Sequence, residues 1–288
     1  VVEVEGVPTW MPAARLLGPD FEAGSSPGHW RAERTPRDAA DVEARLRGLG
    51  FGGRALEVRV SPPLGRAVVR AARAVDARRR RETTPGFTRA GTRLDAEGRW
   101  SLTPEAIALE WGRFALGCGV TRVADLGCGV GGNSIGFARA GLTVVAVERD
   151  AERLACAQHN ARLYGVEDRI TFVHGDAVAL APTCAADLWF CDPPWGEDWH
   201  RTAVSPDDLS PLPALFERRE GRALWAKVPP STDLARWSEA LTDAVTIEPV
   251  FGRAEGDARR VKCLWIRCAA NEAVAALTHR CRSTLEKG

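Results

Sequence analysis

Apolar and polar positions along the chain change their rhythm near residue 100. Downstream, short β-branched runs alternate with stretches of helical period: RVADLG, SIGFARAG, TVVAVE, ERLACAQHNARLYG, ITFVHGD, ADLWFCD, ALWAKV, LARWSEALTD, VTIEPVF and RVKCLWIRC. Strands that alternate with helices predict a mostly parallel sheet covered on both faces. The last two strands are joined only by GRAEGDA, so a closing antiparallel hairpin is expected. Upstream the pattern is weaker. Residues 1–35 are rich in Pro and Gly, show no sustained period and read as a loosely structured arm. Residues 36–81 read as helix, strand and helix: apolar Ala39, Val42, Leu46 and Leu49 before Gly50, the alternation RALEVRV, then LGRAVVRAARAVDARRRR. Residues 82–99 are polar with several glycines and read as a linker. The expected division is therefore 1–99, an arm with a small basic unit, and 100–288, the α/β domain.

The 288 residues are 45% hydrophobic and 27% charged, a globular composition. No apolar run reaches the ~18 residues of a membrane helix, and no signal peptide is legible; cysteines inside apolar strand-like runs (LWFCD, VKCLWIRC) read as reduced thiols, so a cytoplasmic protein is expected. The first residue is Val, which leaves the true start open. Eight cysteines form no C-x-x-C pair and the five histidines are scattered, which argues against a structural metal. Net charge is +1, but residues 30–100 hold 17 Arg against 9 acids. Arg66, Arg70, Arg73 and the run Arg78 to Arg81 offer a phosphate-binding face, with a solvated helix face as the plainer alternative.

Four features carry chemistry. A buried strand ends at Asp125, and Gly127, Gly129, Gly131 and Gly132 then lead into a helix beginning near Asn133. Such a turn lets backbone approach a ligand and aims free N–H groups at it. Glu148 ends the next strand 21 residues after Gly127, an offset suited to gripping ribose hydroxyls. Asp176 ends a third and is placed to accept from an adenine amine. Asp125, Glu148 and Asp176 on one sheet edge would repel a pyrophosphate, which favours S-adenosylmethionine over a nicotinamide cofactor. The fourth is Asp192-Pro193-Pro194-Trp195-Gly196, directly after a strand. Two prolines remove two donors and stiffen the turn, so its carbonyls and Asp192 can accept from an exocyclic amine while Trp195 stacks on the ring. Asp192 is also a candidate to help remove the amine proton. Trp199 and His200 are candidates to wall an acceptor pocket, and Lys227, at a strand end, to meet an acidic substrate.

From SLTPE (101–105) through GCGVGGNSIGFA, NARLYGVEDRITFVHGD and DPPWG (192–196), the chain resembles the trimethylguanosine synthase family of RNA cap guanine-N2 methyltransferases. The resemblance covers roughly residues 100–200. It implies a Rossmann-like class I methyltransferase fold, S-adenosylmethionine as cofactor and methylation of a guanine amine. It further implies Trp195 stacked on the guanine, Glu148 on the ribose and Thr103 to Glu105 beside the cofactor. The family often has Ser before Pro-Pro-Trp; Asp192 here is the commoner form among amino-methyltransferases at large. That loosens cap specificity and leaves amine methylation intact. The expected acceptor is guanine in RNA. The alternatives are a small heterocyclic metabolite or a non-catalytic RNA-binding homologue.

Overall fold

The computed structural model describes residues 1–196, 202–236 and 245–269; for Arg99 and Trp100 it describes backbone only. An N-terminal unit comes first. Strand β1 (Val2–Glu5), helix α1 (Ala13–Leu17), β2 (Glu22–Ala23), β3 (Trp30–Ala32), α2 (Pro36–Leu46), the short hairpin β4 (Gly50–Phe51) and β5 (Arg54–Ala55), β6 (Glu57–Val60) and α3 (Arg66–Arg79) follow one another. The sheet order is β2-β3-β1-β6, with β1 antiparallel to both β3 and β6. Residues 2–5 are thus a central strand rather than a loose arm. Their alternation VEVE buries Val2 and Val4 completely, but four residues are too few to stand out beside so much Pro and Gly. Thr35 caps α2 by accepting from Asp38 N at 3.2 Å, with Pro36 in the first turn.

The second unit begins with α4 (Gly98–Ser101) and α5 (Glu105–Gly117). It continues through β7 (Arg122–Leu126), α6 (Gly132–Arg139), β8 (Thr143–Glu148), α7 (Ala151–Tyr164), β9 (Ile170–His174), α8 (Ala177–Leu180), β10 (Leu188–Cys191), α9 (Leu212–Arg218), β11 (Ala223–Val228), β12 (Val245–Phe251) and β13 (Val261–Cys268). The seven-stranded order is β12-β13-β11-β10-β7-β8-β9. The five strands from β7 to β11 run parallel, and β13 is antiparallel to β11 and β12. The Rossmann-like α/β sheet and the closing hairpin are both as expected. Strands β10 (LWFC) and β11 (ALWAKV) are buried at every residue, Lys227 included, as central strands of a sheet covered on both faces are.

Two cores flank this sheet. On one face Ile107 and Trp111 of α5 and Phe137 of α6 meet Val123, Phe190, Trp225 and Trp265. On the other, Leu212 and Leu215 of α9 meet Leu126, Trp189, Leu224 and Ile266. A third core fills the N-terminal unit and reaches Phe251 at the end of β12. Gly52 N donates to Pro230 O at 3.1 Å across the same junction. Residues 84–93 are no free linker. Thr84 binds Asp257 through both its N–H and its hydroxyl, Phe87 packs on Tyr164 at 5.5 Å, and Arg93 N donates to Asn160 Oδ1 at 2.7 Å. They form a strap whose polar residues are spent on fixed partners. Among the described residues no helix is long and apolar enough to cross a membrane.

Candidate active site

A cavity of about 300 Å3 opens over the carboxyl ends of β7, β8, β9 and β10, where an open α/β sheet reverses direction and binds ligands. Its floor is the glycine turn. Gly127 has φ +99, and a Cβ there would touch no protein atom within 4 Å. A side chain at Gly127 would occupy the cavity itself, so the turn makes a cradle for something else. Gly131, φ +93, does not line the cavity; a Cβ there would press on Ala157 at 3.1 Å. Its smallness lets α6 start against α7, so this part of the expected cofactor contact is replaced by a packing role.

Glu148 is buried and lines the cavity. Its Oε2 accepts from Gly129 N at 2.8 Å and its Oε1 from Asp150 N at 3.0 Å. Each oxygen keeps a second lone pair for a ligand hydroxyl. Asp176 sits at the rim, exposed, and caps α8 by accepting from Ala179 N at 2.9 Å. Asp125 departs from the expected row of acids. It is fully buried, lies behind the cavity wall and accepts from Ser134 Oγ. Burial pushes its carboxyl up to about 7 against the Ser134 hydrogen bond, with Asp192 and Glu148 adding repulsion. Two of the three expected acids therefore face the ligand space.

Asp192 and Trp195 line the cavity with Pro193 and Pro194 between them. Asp192 Oδ2 accepts from Lys227 Nζ at 2.8 Å, Asn133 Nδ2 at 3.2 Å and Thr103 Oγ1 at 3.3 Å. All three bonds fall on Oδ2, so among the described residues Oδ1 is left available. Three residues distant in sequence thus hold one carboxylate by its far side. Lys227 is 4% exposed and lines no part of the cavity. It also donates to Ser101 O at 2.7 Å and lies 5.0 Å from the Trp195 ring centre. Its charge is spent on Asp192, so it positions the turn instead of meeting an acidic substrate. Asn133 also lines the cavity, and its Oδ1 is buried without a hydrogen-bond partner. Trp199 and His200 lie outside the described residues.

The wall above the cradle comes from Glu97, Gly98, Ser101, Leu102 and Thr103. Arg153 ties it down through Asp95 at 3.1 Å and Glu97 at 3.2 Å. Sequence reasoning missed Glu97, Ser101 and Arg153. The one available signal is Arg153 in the first turn of α7, where a cation opposes the helix dipole and needs acidic company. Cys128 is buried in the turn, and burial pushes its thiol well above the ordinary range, which keeps it neutral. Among the described residues no three His, Cys, Asp or Glu side chains gather into a metal site.

Residues 120–204 match the RNA cap guanine-N2 methyltransferase family. The chain is 28% identical to the trimethylguanosine synthase of Saccharomyces cerevisiae over 207 residues, 65% of each protein. It is 33% identical to that of Schizosaccharomyces pombe over 130 residues, 42% of this chain and 54% of the relative. The matched regions thus span less than two thirds of these relatives' lengths. A release factor glutamine methyltransferase of Nitratidesulfovibrio vulgaris is 35% identical over 106 residues, 35% of this chain and 36% of the relative. Among solved structures, a putative methyltransferase from Porphyromonas gingivalis W83 shares the fold with a TM-score of 0.50 at 22% identity, over 81% of this chain and 58% of that one.

Proposed function

We propose that this chain, which carries the RNA cap guanine-N2 methyltransferase family match over residues 120–204, is an S-adenosylmethionine-dependent N-methyltransferase acting on the exocyclic amine of a guanine-like base in RNA. The observation that carries this reading is the Asp192-Pro193-Pro194-Trp195 turn, clamped from behind by Lys227, Asn133 and Thr103 at the mouth of a glycine-floored cavity. The residues present suit the cofactor. Gly127 leaves open a space that a side chain would fill. Glu148 retains acceptor capacity for ribose hydroxyls, and Asp176 stands at the adenine end. Acceptors on buried Glu148 and Asn133 and on half-buried Asp192 suit a cation better than a phosphate. Asp125 acts through Ser134 and the fold of the turn. When bound, S-adenosylmethionine supplies a methyl group on an electrophilic sulfonium.

The protein's part is orientation. A guanine amine has its lone pair drawn into the ring. Asp192 Oδ1 and the Pro193 carbonyl accept its two hydrogens and turn the nitrogen towards tetrahedral geometry. Trp195 holds the ring plane. Proximity of about 3–3.5 Å between reacting atoms supplies most of the acceleration. The proton shed by the methylated nitrogen passes to Asp192 Oδ1 or to water. Residues 1–99 and 100–288 form two units in this reading, with the 84–93 strap holding the first against the second.

The test is transfer of labelled methyl to total cellular RNA, beside the small-molecule fraction of the same extract, with Asp192→Asn as control. Asn keeps the shape of the turn and a carbonyl that still accepts from Lys227, whereas Ala removes that acceptor from a buried donor. The expected result is label in a guanine nucleoside after RNA digestion, reduced by ~100-fold or more in the variant, with cofactor affinity retained. Label confined to the small-molecule fraction would replace the acceptor by a metabolite. Bound cofactor with no label anywhere would leave a binding protein.

A further inference from the structure

Asn133, the second residue of α6, joins the two halves of the site. It follows the glycine turn directly, and its Nδ2 donates to Asp192 Oδ2 at 3.2 Å. That bond fixes the amide, because turned the other way its oxygen would face the carboxylate. The side chain lines the cavity and is 6% exposed, and its Oδ1 is buried with no hydrogen-bond partner among the described residues. Glu148, Asp176 and Asp192 each accept from protein donors; Asn133 Oδ1 accepts from none. A buried acceptor left unpaired is costly, and a wall of a ligand cavity is where a ligand can pair it. Position and charge say which part of a ligand does so. At transfer the methyl carbon lies about 3–3.5 Å from the accepting nitrogen. That nitrogen is held by Asp192, whose carboxylate Asn133 touches, so the reacting end of the cofactor comes to Asn133. The surroundings are acidic. Asp192 and Glu148 both repel buried Asp125, while Lys227 is engaged by Asp192 and Ser101, and Arg153 by Asp95 and Glu97. A carbonyl oxygen in such surroundings favours positive charge and polarised C–H groups, both of which a methyl on sulfonium offers.

The geometry points to Asn133 as the residue by which the site tells the methyl donor from its demethylated product: Oδ1 accepts C–H contacts from the sulfonium-bound methyl, which S-adenosylhomocysteine lacks. The inference rests on the proposed methyltransferase reading and adds a rule of exchange to it. The cofactor is gripped while it carries the methyl and loosened once the methyl has gone. Transfer removes the methyl and the positive charge together, so Oδ1 loses its partner and the acids lose their counter-charge. One side chain thus touches both ends of the reaction, Asp192 through Nδ2 and the methyl donor through Oδ1.

The test is calorimetric binding of S-adenosylmethionine and of S-adenosylhomocysteine to the full chain, with no acceptor present, so that methyl transfer does not enter. The variants are Asn133→Ala and Asn133→Ser, whose side chains are too short to reach the position of Oδ1. Melting temperature verifies that they fold, and the second variant serves where the first does not. Thr103→Val is the control, since it removes another donor to Asp192 and keeps Asn133. The affinity for S-adenosylmethionine relative to S-adenosylhomocysteine should fall by about threefold or more in both Asn133 variants, the size of a polarised C–H contact. It should stay nearly unchanged in Thr103→Val. Equal losses of the two ligands would place Oδ1 on the amino-acid tail that they share and overturn the inference. A ratio that falls as far in Thr103→Val would mean that the effect runs through Asp192, and overturns it too. Either result, with both ligands still bound by wild type, leaves the methyltransferase reading standing. Failure of wild type to bind either ligand would sink that reading, and the inference with it.

Discussion

Asp125 and Asp192 end neighbouring strands and meet opposite surroundings. Asp192 has three donors on one oxygen, a lysine among them, and faces the ligand space. Among the described residues Asp125 has one hydroxyl donor, Ser134, and no cation, and burial raises it to about 7. For a carboxyl raised on folding, stability is fully present below its unfolded value near 4 and is lost as pH rises through about 7. Asp125→Asn removes the charge and can still accept from Ser134. Its melting temperature should exceed wild type at pH 8, by about 2–4 °C per kcal/mol relieved, and the difference should shrink towards pH 5. A constant difference across that range would mean that Asp125 does not titrate there.

At the scale of elements, the strap 84–93 and helix α5 meet at Glu105. It accepts from Tyr164 Oη, from Thr88 through N–H and hydroxyl, and from Arg139. Burial alone would raise this carboxyl; the hydrogen bonds outweigh it and hold the group down to about 2. The sign is the reverse of Asp125. The contribution is present above the unfolded value near 4.3 and is lost as pH falls towards 2. Glu105→Gln should weaken the fold at pH 7 by about 1–3 kcal/mol. Its acid transition should also lose part of its dependence on pH below 4.5. Chemical denaturation at pH 7 and pH 3 measures both; an equal loss at the two values would refute the anchor role. Tyr164, the only tyrosine of the chain, serves here as a polar hub as well as a packing residue.

For the whole molecule, the N-terminal unit is part of the same body as the Rossmann-like sheet. Phe251 of β12 is 3% exposed within the core of the N-terminal unit, and Arg15 of α1 lies 4.5 Å from its ring centre. Glu97, Gly98, Ser101, Leu102 and Thr103 wall the cavity, and the strap that precedes them is anchored on Asp257, Glu105 and Asn160. A chain restricted to 100–288 would lose the strap, leave its partners Asp257, Glu105 and Asn160 without it, and bare Phe251. It should lack a cooperative melting transition at the temperature of the full chain. A transition retained at that temperature would show that the two units are independent.

The strands β7 to β13 and helices α6 and α7 were legible because their apolar runs and caps are local: Asp150 starts α7, and Gly165 ends it at φ +66; the short helices α8 and α9 gave no such signal, and most of the helix expected over LARWSEALTD lies outside the described residues. The glycine turn, Glu148, Asp192 and Trp195 were legible for a related reason, since strand ends of a parallel sheet converge on one crevice whatever the loops do. Other features were decided by contacts between segments far apart in the chain. Asp125 and Asp176 look alike as strand-end acids, but only packing buries the first behind the wall. Lys227 looks like an exposed strand end until Asp192, Ser101 and Trp195 close on it. The polar stretch 82–99 reads as a linker because its partners, Asp257, Glu105 and Asn160, lie up to 173 residues away. Of the arginines that line a second cavity beside Trp195, Arg45, Arg80, Arg259 and Arg260, the sequence marked only Arg80, in the run 78–81. They come from α2, the end of α3 and the β12–β13 hairpin, and only the docking of one unit on the other brings their charges together. Hydrophobic period and turn chemistry act over a few residues, so the chain records them directly; charge balance at a site is a sum over the folded neighbourhood.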